Sequence, residues 1–227
     1  MSIKYEEAVP WGRSFDEYRR MFNLTDADLH RNLLGCADGP ASFNAGMFQR
    51  GRPMISCDPL YQFTTEQIQQ RIDATFKNVM AQALQNQEKF LWNVIKSPAE
   101  MGRIRMEAMR DFLKDYEPGK RDGRYVAAEL PRLPFSASSF DLALCSHFLF
   151  FYSNHYSMEF HQEAIDDLCR VAREVRIFPL LTYNAEPCPY VRPITEWLKE
   201  SGRTVSIEIV PYEFQRGGNA MMQIKTR

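Results

Sequence analysis

The chain has 227 residues, 44% hydrophobic and 13% aromatic, and its 28 basic and 29 acidic side chains leave a formal net charge of −1. That length buries one full core, and the composition excludes a disordered chain. The charge balance excludes a broad basic surface for nucleic acid, so a small-molecule partner is expected and no nucleic-acid partner.

Ser14 and Glu17 have the spacing of a capping box, and Phe15, Tyr18, Met21 and Phe22 follow at helical spacing. Thr25 and Asp28 mark a second, short helix start. Residues 1–30 are expected to form an N-terminal helical lid. Within it, Trp11-Gly12-Arg13-Ser14 either folds over a ligand, offering Arg13 to a carboxylate, or leaves Arg13 solvated on a surface helix. Lys4, Glu6 and Glu7 stand where a signal peptide has its apolar core, so no such signal is expected.

From Asn32 the pattern alternates. Asn32 to Gly35 predicts a strand, Pro40 to Arg50 a helix stopped by Gly51, and Met54 to Asp58 a second strand. A helical insertion follows at about 61–123. Thr64 and Gln67 form its first capping box, with Ile68, Ile72, Phe76, Val79 and Ala83 at helical spacing behind it. Ser97-Pro98-Ala99-Glu100 opens a second helix with Met101, Arg105, Ala108, Met109, Phe112 and Tyr116 on one face, and Pro118-Gly119 is expected to break it. Its mixed charges, Arg103, Arg105, Arg110 and Lys114 against Glu107, Asp111 and Asp115, read as a solvated face.

The alternation then resumes. Strands are expected over Tyr125 to Ala128, Phe140 to Ser146 and Val175 to Leu181, and helices over Met158 to Arg173 and Val191 to Glu200. Thr204 to Val210 and Ala220 to Lys225 predict a closing strand pair. The longest apolar run, Phe148 to Tyr152, is too short to span a bilayer, so no membrane is expected. Cys36, Cys57, Cys145, Cys169 and Cys188 show no Cys-x-x-Cys spacing, which predicts reduced thiols in a cytoplasmic protein. The four histidines are scattered. His155 and His161 do not share a helical face, and no metal site is expected.

Alternating strands and helices imply a mainly parallel sheet with its ligand site at the carboxyl ends of the strands. Four such ends carry chemistry. The first runs through Gly35-Cys36-Ala37-Asp38-Gly39, where one glycine turns the chain off the strand and the other lets backbone approach a ligand. The second ends in Asp58-Pro59-Leu60, an acid about 20 residues on that suits ribose hydroxyls, or else starts a turn. The third runs into Glu129-Leu130 ahead of Leu133-Pro134-Phe135. The fourth opens at Ser139-Phe140-Asp141 and ends at Ser146-His147.

In this order the four ends resemble those of the class I S-adenosylmethionine-dependent methyltransferases, especially the small-molecule group. The resemblance covers roughly residues 32–60 and 124–227. It implies a Rossmann-like three-layer α/β/α sandwich, with a mainly parallel sheet ending in an antiparallel hairpin and a helical insertion after the second strand. The methyltransferase domain would span 31–227. S-adenosylmethionine would be the cofactor and S-adenosylhomocysteine the product. The resemblance further implies that Gly35, Cys36, Ala37, Asp38 and Gly39 wrap the methionine part, that Asp58, with Pro59 and Leu60, holds the ribose, and that Glu129 and Leu130 lie by the adenine. Ser146 and His147 would complete the site. The implied activity is methyl transfer to a small-molecule acceptor. The family's acid two residues before the first glycine is Leu33 here, its middle glycine is Ala37, and Asp38 is placed to supply the missing charge.

Methyl transfer from a sulfonium asks mainly for alignment and dryness, and for a base only when the acceptor must lose a proton. His147 and Tyr152 are the candidate catalytic residues, with His155 behind them. Two other readings stay open. A nicotinamide-dependent oxidoreductase would use a similar first unit but expects a third glycine where this chain has Ser42. A non-catalytic cofactor-binding relative would account for Leu33 and Ala37.

Overall fold

The computed structural model describes residues 9–226. Seven strands make one sheet: β1 (Leu33–Cys36), β2 (Ile55–Cys57), β3 (Tyr125–Val126), β4 (Leu142–Ser146), β5 (Glu174–Phe178), β6 (Thr204–Ile209) and β7 (Ala220–Lys225). Their spatial order is β3-β2-β1-β4-β5-β7-β6. The pairs from β3 to β5 are parallel, whereas β7 runs antiparallel to both β5 and β6. This is the Rossmann-like sheet with a closing antiparallel hairpin that the resemblance implies. The order reverses at β1, between β2 and β4, which opens a crevice above the carboxyl ends of these three strands.

The helices are α1 (Phe15–Met21), α2 (Phe43–Gln49), α3 (Thr65–Gln85), α4 (Pro98–Arg121), α5 (Met158–Val171) and α6 (Val191–Glu200). The period-two pleat of the strands sorts their side chains between two layers. Leu34, Ala143, Cys145, Val175 and Ile177 join Ala164, Ile165 and Leu168 of α5 and Ile194 of α6 in one core. Leu33, Leu142 and Leu144 point to the other face, among Phe15 and Tyr18 of α1 and Phe43 of α2. Ile68 and Ile72 of α3 pack with Met109, Phe112 and Tyr116 of α4 against Tyr61 and Tyr125, beside the end of β2. Among the described residues no helix is long and apolar enough to cross a membrane, and the five cysteines are free and buried.

Several local expectations need correction. α4 does not break at Pro118 but runs to Arg121. Gly119 lets that last turn lie on Arg124 and Tyr125; a Cβ there would stand 2.5 Å from the tyrosine ring. Tertiary packing thus outweighs the single hydrogen bond that proline removes. α2 begins at Phe43 rather than Pro40, because the residues after Gly39 still belong to the loop. Arg105 is not on a solvated face: it is 1% exposed, enclosed between α4 and α1. Lys4, Glu6, Glu7 and the start of the expected N-terminal lid lie outside the described residues.

Candidate functional site

A cavity of about 620 Å³ opens above the ends of β1, β2, β3 and β4, within the size range of small-molecule and cofactor sites. Of the residues expected at a cofactor site, Cys36, Ala37, Asp38, Gly39, Asp58, Pro59, Leu60, Glu129, Leu130, Ser146 and His147 line it. Gly35 does not. It stays in β1, and the left-handed residues of the loop are Ala37 (φ 55°) and Gly39 (φ 53°). The expected turn at Gly35 is therefore taken two residues later. Gly35 has another reason to lack a side chain, since a Cβ there would lie 1.8 Å from Asp38 Oδ2. The Asp38 side chain folds back over its own strand.

Asp38 is buried, and both of its carboxylate oxygens have partners. Tyr18 donates its hydroxyl to Oδ1 at 2.8 Å and Ser56 donates to Oδ2 at 2.7 Å. Burial pushes the carboxyl up to about 7, against these two hydrogen bonds, and the nearby Asp58 charge adds to the rise. Asp58 follows β2 directly and caps the turn Pro59–Gln62. Gly39 N–H donates to its Oδ2 and Leu60 N–H to its Oδ1, each at 2.8 Å. The turn and ligand readings of Asp58 are compatible, because a carboxylate has about four acceptor positions and these bonds use two. Glu129 is exposed at the rim, between β3 and β4.

Ser146 and His147 leave β4 at the other side of the cavity. His147 takes a left-handed backbone (φ 49°), and its N–H donates to Phe178 O at 2.7 Å. Its Nδ1 lies 3.0 Å from Ser146 Oγ, and its ring meets Phe151 and Phe178 edge-on. Burial, and then the charges of Arg13 and Arg105, hold the imidazole well below its usual value, so it is neutral. The Tyr152 hydroxyl is buried beneath the N-terminal segment and accepts Val9 N–H at 3.3 Å. His155 is exposed and does not border the cavity.

A second chamber of about 60 Å³ adjoins the first and shares Trp11, Arg13, His147 and Phe151 with it. Arg105 lines this chamber and is paired with Glu17 of the α1 capping box (Nη1 to Oε1, 2.6 Å). Tyr212, from the β6–β7 connection, donates to the same Oε1 at 2.9 Å. Sequence reasoning missed this pair. A charged residue on the apolar face of α4, among Met101, Ala108 and Met109, was the available signal, because a buried charge requires a partner. Tyr18 was missed as well: its hydroxyl reaches Asp38 from within a stripe that reads as purely apolar. Among the described residues no group of His, Cys, Asp and Glu is arranged to hold a metal ion.

No protein-family model matches the chain. Among solved structures it is similar to the magnesium protoporphyrin IX methyltransferase of Synechocystis PCC 6803 with bound SAM. That match is 12% identical, covers 93% of this chain and 90% of that one, and has a TM-score of 0.46. It is similar also to a putative S-adenosyl-L-methionine-dependent methyltransferase of Methanococcus maripaludis, 11% identical over 93% of this chain and 82% of that one, with a TM-score of 0.45. A curated relative, the uncharacterized protein MJ0045 of Methanocaldococcus jannaschii, is 32% identical over 227 residues, 98% of each chain. The chain therefore belongs to the family of MJ0045.

Proposed function

We propose that the large cavity binds S-adenosylmethionine and that the protein transfers its methyl group to a small-molecule acceptor. The observation that carries this is the pair of carboxylates at the ends of adjacent parallel strands, Asp38 after β1 and Asp58 after β2, both lining the cavity, with the Gly39 N–H of the first loop donating to Asp58. The donor set fits the cofactor. A carboxylate with spare acceptor positions suits a ribose diol, and a second one, buried beside the glycine loop, suits a cationic amino-acid end.

In this reading Asp58 holds the ribose hydroxyls, with Pro59 and Leu60 beside it, and Glu129 and Leu130 flank the adenine. Asp38 replaces the acid that the resemblance expects at Leu33, whose side chain is committed to the core beneath α1. Cys36, Ala37 and Gly39 present backbone to the methionine part. Ser146 and the neutral His147 stand on the reacting side, and Phe148, Phe151 and Tyr156 keep water out. When bound, the cofactor supplies a methyl group already activated on a sulfonium, so the protein's task is to align and to dry the site. Residues up to about 30 act as the lid, and the insertion at about 61–123 acts as the cap.

The start of α2 argues against a nicotinamide dinucleotide. A pyrophosphate draws on N–H groups at that helix start, and one of them, at the N-cap residue Ser42, is already given to Arg13 O at 3.0 Å. Gly12 also packs so closely there that a Cβ would meet Pro40 O at 2.0 Å. Titration calorimetry with S-adenosylhomocysteine tests the proposal. Binding is expected, and Asp58→Ala should weaken it by about tenfold or more, the loss of hydrogen bonds to a charged acceptor. Folded protein that binds neither S-adenosylhomocysteine nor S-adenosylmethionine would overturn it.

A further inference from the structure

We propose that the small chamber behind His147 receives the carboxylate of the methyl acceptor, so that the acceptor is a small carboxylic acid. This rests on the cofactor reading above. The large cavity lies over β1 to β4, whereas the chamber lies over the other half of the sheet. Phe178 and Pro179 bring the end of β5 to it, and Tyr212 and Phe214 bring the β6–β7 connection. The two spaces meet at Trp11, Arg13, His147 and Phe151. A ligand in the chamber therefore meets a ligand in the cavity beside His147.

Among the described residues the charges at this junction do not balance. Arg105 has Glu17 as its counter-ion. Arg13 has no ion-pair partner among the described residues; its Nη1 is given to Trp11 O at 2.7 Å. The Nε atoms of Arg13 and of Arg105 are both buried without a hydrogen-bond partner among the described residues. The other described titratable groups facing the chamber do not supply an anion. His147 is neutral, and the Tyr212 hydroxyl, pushed up by burial, is protonated and spent on Glu17. A half-buried guanidinium without an anion, its Nε unpartnered, is costly, and its planar fork matches a carboxylate in particular.

Size limits the ligand further. At about 60 Å³ against about 620 Å³, the chamber is the small end of the joined space. It suits a compact end group such as a carboxylate. The apolar remainder of the acceptor would lie against Trp11 and Phe151, toward the large cavity. An anion from another source, the carboxylate of the cofactor's own methionine part, is the alternative that the experiment must separate.

Calorimetry on the full chain, saturated with S-adenosylhomocysteine, compares benzoate with the uncharged benzamide. Benzoate is expected to bind at least about tenfold tighter, as a charge-assisted pair does. Arg13→Gln is expected to erase that preference and to leave S-adenosylhomocysteine within about threefold of its wild-type affinity. Equal binding of benzoate and benzamide to the wild type, a comparison that needs no variant, would overturn the inference. So would an Arg13→Gln protein that loses about tenfold for S-adenosylhomocysteine but nothing for 5′-methylthioadenosine, which lacks the amino-acid end; the arginine would then serve the cofactor's carboxylate. If S-adenosylhomocysteine does not bind the wild type, the cofactor reading falls, and the same benzoate and benzamide titrations on the unliganded chain decide this inference separately.

Discussion

Asp38→Asn tests the electrostatics of the loop. Burial raises this carboxyl from 3.8 to about 7. The folded protein therefore keeps a proton that the unfolded chain releases. For an acid shifted in this direction stability is greatest below the unfolded value and falls as pH rises from about 4 to about 7. Each pH unit in that interval is worth about 1.4 kcal/mol, so the ionised residue costs the fold about 4 kcal/mol at pH 8. Asparagine keeps an oxygen for the Tyr18 hydroxyl and carries no charge. Urea unfolding of both proteins between pH 4 and pH 8 isolates the effect, because every other titration is common to the two and cancels. The variant should gain on the wild type by about 4 kcal/mol across the series. A difference that stays constant with pH would refute the reasoning. The same substitution should lower affinity for S-adenosylhomocysteine, by about tenfold or more at pH 8. Wild-type affinity should rise as pH passes through about 7, where Asp38 loses its proton.

Arg105→Met should cost about 3–5 kcal/mol in urea unfolding, because it leaves Glu17 buried without its partner, and adding Glu17→Met should recover most of that loss. Gly35→Ala should displace the Asp38 carboxylate, whose oxygen occupies the space of the new methyl group; calorimetry should show loss of cofactor binding, whereas wild-type affinity would show that the loop yields. Gly12→Ala should disturb the packing on Pro40, read as a lowered Tm.

What was legible in the sequence was local or repeated. The α1 box of Ser14 and Glu17 and the α3 box of Thr64 and Gln67 use residues three apart, and both form as the spacing predicts. The order of strand ends was legible because a parallel sheet places every carboxyl end on one rim, so the motifs needed only the right sequence order. Three features were not legible. The burial of Arg105 depends on a carboxylate 88 residues away. The helix through Pro118 depends on packing against Tyr125, which no local rule contains. The purpose of Gly35 depends on which way Asp38 turns, and that is set by Tyr18 and Ser56, from two other elements.

The carboxylate of Glu17 gathers three distant stretches of chain: its own helix, Arg105 from the middle and Tyr212 from near the end. During synthesis the first of these leaves the ribosome long before the last. Until Arg105 and Tyr212 arrive, Glu17 has only its local capping bonds and stays in water. The cluster beside the cavity is therefore complete only once Tyr212 has been made, and the chamber behind His147, which Arg105 and Tyr212 line, is complete no earlier.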